Sequence, residues 1–148
     1  MIIIAHDIRS MHNVGAILRS AAAFDTEQVY LTGITATPPR KEIAKVALGA
    51  EDLVEWSAGE IREVIKNLKD RRVQVLGLET GDDARPIQEV AAEAKAENKT
   101  VALVLGHEVE GIDQKTRELL DGLVVIPMGA KRSLNVSVAA GIAMFALS

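Results

Sequence analysis

No cysteine occurs among the 148 residues, which excludes disulfides, thiolate nucleophiles and cysteine-ligated zinc. Aromatic residues are scarce as well, 3% against 48% for hydrophobic residues as a whole. The core must therefore be aliphatic, built from Val, Ile, Leu and Ala. No basic segment precedes the apolar run Ile2-Ile3-Ile4-Ala5 as it would in a signal peptide, and no apolar run reaches the length of a membrane span. The expectation is a soluble cytoplasmic protein with no membrane partner. An excess of positive charge is missing too. The net charge is −4, which taken alone argues against a nucleic-acid partner. Its distribution matters more than its sum: residues 51–100 hold eight basic and twelve acidic side chains and supply the whole deficit. A working surface built from the two ends of the chain need not be acidic.

The length is that of one ordinary domain. No repeat, low-complexity tract or linker divides it, so residues 1–148 are read as a single domain with no separate extension. Short apolar runs alternate with amphipathic stretches. The strand candidates are Ile2–Ala5, Gln28–Thr32, Leu53–Trp56, Val73–Leu78, Thr100–Leu105 and Leu123–Ile126, several of them continuously apolar, as in strands covered on both faces. Between them the pattern predicts helices over Asn13–Phe24, Lys41–Ala47, Gly59–Asp70, Ile87–Ala96, Gln114–Leu120 and Asn135–Leu147. This alternation implies an α/β domain with a mainly parallel sheet and helices on both faces. Ligands of such sheets bind beyond the carboxyl ends of the strands, which draws attention to three polar or glycine-containing segments there: His6–Arg19, Gly106–Ile112 and Pro127–Ser137.

In the first segment Asn13 is placed to cap a helix running from Val14. Gly15 and Arg19, four residues apart, share a face. Glycine in a helix costs about 1 kcal/mol against alanine, which points to close approach by another group. A guanidinium beside such a notch suits an oxyanion, although a capped helix with one solvated arginine accounts for the same residues. In the second segment a buried strand ends on Gly106, followed by Glu108 and Gly111. Backbone amides there could meet a ligand, or the segment is an ordinary strand–helix turn. It is not the Gly-x-Gly-x-x-Gly dinucleotide pattern. In the third, Pro127 stops a strand, a loop carries Lys131 and Arg132, and Ser133 or Asn135 can cap a last helix that is apolar or small on every face. Burial on all sides of that helix requires a partner subunit; the plain alternative is a core helix with a polar cap and a solvated turn. No metal site is expected, because His6, Asp7 and His12 lack the spacing of a ligand cage. Asp82-Asp83 reads as a turn and Trp56 as core or edge packing.

Taken in order, Asn13-Val14-Gly15-Ala16-Ile17-Leu18-Arg19-Ser20, Leu105-Gly106-His107-Glu108-Val109-Glu110-Gly111-Ile112 and Ile126-Pro127-Met128 with Ser133-Leu134-Asn135-Val136-Ser137 resemble the three signature motifs of SpoU-type RNA methyltransferases of the SPOUT class. The match covers nearly the whole chain. The resemblance implies an α/β fold whose C-terminal segment forms a deep trefoil knot, a feature so rare that no pattern argument leads to it. It implies S-adenosylmethionine as cofactor, held by Leu105, Gly106, Ile126, Pro127, Met128, Ser133, Leu134 and Asn135. It also implies a homodimer that completes the active site through the last helix, and transfer of a methyl group to a ribose 2′-hydroxyl of tRNA or rRNA. Asn13 matches the residue that orders the site, Arg19 the arginine regarded as catalytic, Glu108 the motif 2 glutamate, and Ser133 and Asn135 the motif 3 polar pair. Arg9, Arg19, Arg40, Lys41, Lys45, Lys131 and Arg132 are the candidate RNA contacts. Two other readings stay open at this level: a non-catalytic knotted protein that binds cofactor or RNA, and an unknotted nucleotide-binding doubly wound domain.

Overall fold

A computed structural model describes residues 1–148. In chain order the elements are β1 (Ile2–His6), α1 (Met11–Ala23), β2 (Gln28–Thr32), α2 (Lys41–Ala47), β3 (Trp56–Gly59), α3 (Ile61–Asp70), β4 (Gln74–Leu78), β5 (Arg85–Pro86), α4 (Ile87–Glu97), β6 (Val101–Leu105), α5 (Gln114–Arg117), β7 (Gly122–Val125) and α6 (Val136–Leu147). All strand pairs are parallel, in the order β3-β2-β1-β6-β4-β7-β5.

Every residue of β1 and β6 is buried, because both strands lie inside the sheet with helices on each face. Side chains alternate between the two layers with the period of a strand. Ile3, Ala5, Leu103 and Leu105 face a cluster formed with α1, α2, α4 and α6, while Ile2, Ile4, Ala102 and Val104 face a smaller one with Val64, Ile65 and Leu68 of α3. The scarcity of aromatic residues is resolved as expected, by an interior of Ile, Leu, Val and Ala.

Several boundaries differ from the sequence reading. The third strand is Trp56–Gly59, not Leu53–Trp56. Residues Ala50–Asp52 form a 3₁₀ turn that carries Val54 into the core and leaves Leu53 in solvent. As an edge strand, β3 needs little apolar character on its outer side, so its Ser-Ala-Gly end carries no hydrophobic signal. Trp56 lies on that edge, its indole N–H donating to the Glu51 carbonyl at 3.2 Å. Helix α1 starts earlier than expected: Ser10 is its N-cap, accepting from the Asn13 N–H at 3.3 Å. This leaves the Asn13 side chain free for another task. The helix expected over Gln114–Leu120 closes at Arg117, and the two-residue strand β5 was not anticipated.

The notch at Gly15 is filled by the chain itself. A Cβ there would lie 2.6 Å from the Ile43 carbonyl oxygen and 2.9 Å from the Val46 Cβ, so glycine serves the packing of α2 on α1 and not a ligand beside Arg19. Gly15→Ala is expected to lower stability by about 1–3 kcal/mol through overpacking, read from urea denaturation midpoints. Unchanged stability would show that α2 does not sit so close.

Candidate active site

The three segments follow β1, β6 and β7, which with β4 lie side by side in the order β1-β6-β4-β7, and their side chains meet. The Glu108 carboxylate is the junction. Its Oε2 accepts the Arg9 N–H at 3.0 Å, and its Oε1 accepts the Ser10 N–H at 2.9 Å and the Asn13 side-chain amide at 3.0 Å. Asn13 Oδ1 in turn accepts from the Asn135 amide at 3.2 Å. Asn135 Oδ1 caps α6, accepting the N–H groups of Ser137 and Val138 and the Ser137 hydroxyl. Asn135, rather than Ser133, is thus the cap of the last helix, and one polar chain links all three segments. Burial pushes the Glu108 carboxyl up, but the hydrogen bonds from Arg9, Ser10 and Asn13 outweigh it and hold its pKa at about 2.

The loop carrying Glu108 is a tight hairpin. His107 and Gly111 exchange backbone hydrogen bonds of 3.1 and 2.9 Å, and His107 Nδ1 accepts from the Val109 and Glu110 amides. Gly106 is approached by this hairpin, since a Cβ on it would lie 2.5 Å from the Gly111 carbonyl carbon. Ile112 is gripped at both backbone groups: its N–H donates to Glu79 Oε2 at 3.0 Å, and its carbonyl accepts from Arg117 Nε at 3.1 Å. Glu79 and Arg117 are themselves paired at 2.5 Å.

Beside this hairpin opens a cleft of ≈ 270 Å³, near the lower end of the range for small-molecule sites. Its apolar wall comes from Leu78, Leu105, Ile126, Leu134, Val136 and Ala139. Of the expected cofactor residues, Leu105, Gly106, Ile126, Met128, Ser133 and Leu134 line it. Pro127 and Asn135 do not: Pro127 turns outward beyond the end of β7, and the Asn135 side chain is committed to Asn13 and the α6 cap. Leu78, Glu79 and Thr80, which the sequence reading missed, also line the cleft. Nothing in the order of the elements reveals that β4 lies between β6 and β7.

Arg19 is not brought into this arrangement within one chain. It lies six residues beyond Asn13, about 9 Å along the helix axis and on another face, exposed and without a hydrogen bond or ion pair. Arg9, Arg40, Lys41, Lys45, Lys131 and Arg132 are also exposed, and none is ion-paired. Arg132 borders the cleft, whereas Arg40, Lys41 and Lys45 lie at α2, on the far side of β1 from it. The last helix is not covered on all sides either. Ala140, Ala143 and Met144 are buried, but Val138 is 50% and Phe145 70% exposed.

The model of the SpoU rRNA Methylase family matches residues 1–145. The chain belongs to this family. Among curated relatives, the 23S rRNA (guanosine-2'-O-)-methyltransferase RlmB of Ralstonia nicotianae is 36% identical over 148 residues, covering 98% of this chain and 57% of the relative. The chain thus spans little more than half the length of that SpoU protein. Among solved structures, the A. aeolicus TrmH/SpoU tRNA modifying enzyme superposes with a TM-score of 0.84 at 26% identity, over 99% of this chain and 72% of that one. An AdoMet-bound rRNA methyltransferase from Sinorhizobium meliloti has the same fold, with a TM-score of 0.87 at 23% identity, over 99% of this chain and 54% of its own.

Because the folded-state pKa of Glu108 lies below that of a free carboxyl, its hydrogen bonds contribute fully above about pH 5, and that contribution is lost as the pH falls toward 2. Glu108→Gln is expected to cost about 1.5–3 kcal/mol at pH 7, with a smaller gap from the wild type at pH 3. Denaturation curves at the two pH values measure this; a gap independent of pH would remove the charge from the account.

Proposed function

We propose that this chain is an S-adenosylmethionine-dependent methyltransferase acting on a ribose 2′-hydroxyl of tRNA or rRNA, as a homodimer with a knotted C-terminal segment. The observation that carries the reading is the Glu108–Asn13–Asn135 chain, which ties the three family motifs together beside the cleft. The names of RlmB and of the TrmH/SpoU enzyme support the RNA substrate and leave its class open between the two. No helix is long and apolar enough to cross a membrane, in keeping with the cytoplasmic setting expected for such an enzyme.

The residues of the cleft fit the cofactor. An aliphatic wall suits the flat face of an adenine, strand ends offer backbone donors and acceptors, and the Glu110 carboxylate borders the cleft without a partner of its own. Leu105, Gly106, Ile126, Met128, Ser133 and Leu134 would hold it, and when bound it supplies a methyl group activated by a sulfonium. The proton of the 2′-hydroxyl would leave to a phosphate oxygen or water. Arg19 acts as clamp and electrostatic stabiliser, since a guanidinium donates hydrogen bonds in a rigid fork and is a poor base. Arg9, Arg40, Lys41, Lys45, Lys131 and Arg132 hold the RNA backbone.

Val138, Ile142 and Phe145 form one exposed apolar stripe along α6, and Leu134, just before the helix, is exposed as well. A second copy of the chain covering this stripe would supply the burial that the helix lacks. Arg19 adjoins it: Ser20 lies against Gly141, and Phe24 meets Phe145 edge to face at 5.9 Å. In a dimer, Arg19 can therefore complete a site that one chain leaves open.

S-adenosylhomocysteine should bind once per chain in isothermal titration, and Arg19→Ala should keep that affinity while losing methyl transfer to RNA. No heat at millimolar ligand overturns the cofactor assignment; near-normal transfer by Arg19→Ala overturns the role of the arginine. Val138→Glu and Phe145→Glu should convert dimers to monomers in light scattering, with transfer lost alongside. A wild type that is monomeric at micromolar concentration would exclude the dimer.

A further inference from the structure

The geometry points to a divalent transition-metal site formed by His6, Asp7 and Asp113, outside the cofactor cleft. His6 ends β1 and is 7% exposed. Its Nδ1 lies 2.9 Å from the Thr32 hydroxyl, while its Nε2 makes no hydrogen bond and points between Asp7 Oδ2 at 3.4 Å and Asp113 Oδ2 at 3.6 Å. The three atoms lie within 4.8 Å of one another. A tetrahedral ion with bonds of about 2.0–2.1 Å sets its ligand atoms about 3.3–3.4 Å apart, close to the two Nε2–oxygen distances.

Each ligand is already oriented by a second contact, as metal ligands are. Thr32 fixes the imidazole, the Ile34 N–H donates to Asp7 Oδ1 at 3.0 Å, and the Thr116 N–H donates to Asp113 Oδ1 at 3.1 Å. The Thr116 hydroxyl also donates to Asp113 Oδ2 at 2.6 Å. Gly33, at φ +63°, closes over the group; a Cβ there would overlap Asp7 Oδ1 and stand 3.1 Å from His6 Cε1. No lysine or arginine pairs with either aspartate, so the two carboxylates face each other with only the imidazole between them. One nitrogen and two carboxylate donors suit Zn²⁺, Mn²⁺ or Co²⁺ better than Mg²⁺ or Ca²⁺. The Asp7 and Asp113 side chains are 36% and 51% exposed, which leaves a coordination position open to water. The ion would staple the end of β1 to the segment directly after the hairpin that carries Glu108. Local spacing concealed this site because its third ligand comes from a distant part of the chain.

The test is zinc titration of the chelator-stripped full chain by calorimetry, with Co²⁺ absorption and thermal melting alongside. Expected are one ion per chain, visible Co²⁺ bands, a higher melting temperature with Zn²⁺, and much weaker binding of Mg²⁺. Asp113→Asn keeps a capping side chain for α5 and Asp7→Asn keeps an acceptor for Ile34, so both variants should fold and lose zinc affinity by more than about 100-fold. His12→Ala should bind as the wild type does. Absence of binding at hundred-micromolar zinc, unchanged affinity in Asp7→Asn and Asp113→Asn, or loss of binding in His12→Ala would each overturn the site.

Discussion

The arrangement at the ligand end of the sheet depends on one partly buried anion. Glu108 accepts two backbone amides from the turn before α1 and the side chain of Asn13 within it. These partners are nearly a hundred residues away in sequence, so the carboxylate fixes the start of α1 against the end of β6. Through Asn13 it also fixes the start of α6. A neutral side chain could satisfy part of this set, but only an anion accepts three donors from one side with the strength of charge-assisted bonds. Protonation would remove that strength from every segment together.

Rigidity and openness are divided between the two rims of the cleft. On one rim, the Glu79–Arg117 pair holds Ile112 by both backbone groups and keeps the hairpin in place. On the other, the Gly129–Leu134 loop is exposed throughout and makes no side-chain hydrogen bond to the hairpin. A ligand would therefore meet a preformed wall and a loop whose own contacts are few. The apolar stripe of α6 lies close by, so events at the cleft and at the helix surface share the short stretch from Ser133 to Val138.

Much of the fold was legible because its signals are local. Gln28–Thr32 and Lys41–Ala47 have the bounds that the apolar pattern predicts, and the apolar runs at Ile2–Ala5 and Thr100–Leu105 mark the two interior strands β1 and β6. Legibility failed where a tertiary partner decides. Asn13 looked like a cap, since asparagine before an apolar run usually is one, yet Ser10 caps the helix and Asn13 turns to Glu108. Gly15 did signal close approach, but of α2 and not of a ligand. Leu53 looked like a strand residue but closes the 3₁₀ turn ahead of β3 and stands in solvent. That Asn13, Glu108 and Asn135 meet in one place is in keeping with their family motifs, whereas the place of Leu78 and Glu79 in the cleft wall required the strand order, which no local pattern encodes.

That strand order also has a consequence for the growing chain. β1 is hydrogen-bonded to β2 on one side and to β6 on the other, so its second neighbour is made only after residue 100 has been added. Until then a strand of consecutive isoleucines presents an unpaired edge, the arrangement most prone to pairing with another molecule. Glu108 follows β6 by three residues, so the step that closes this edge comes almost together with the one that creates the polar junction. The protection of that edge and the assembly of the site are thus a single event, which waits on the synthesis of β6 and the hairpin after it.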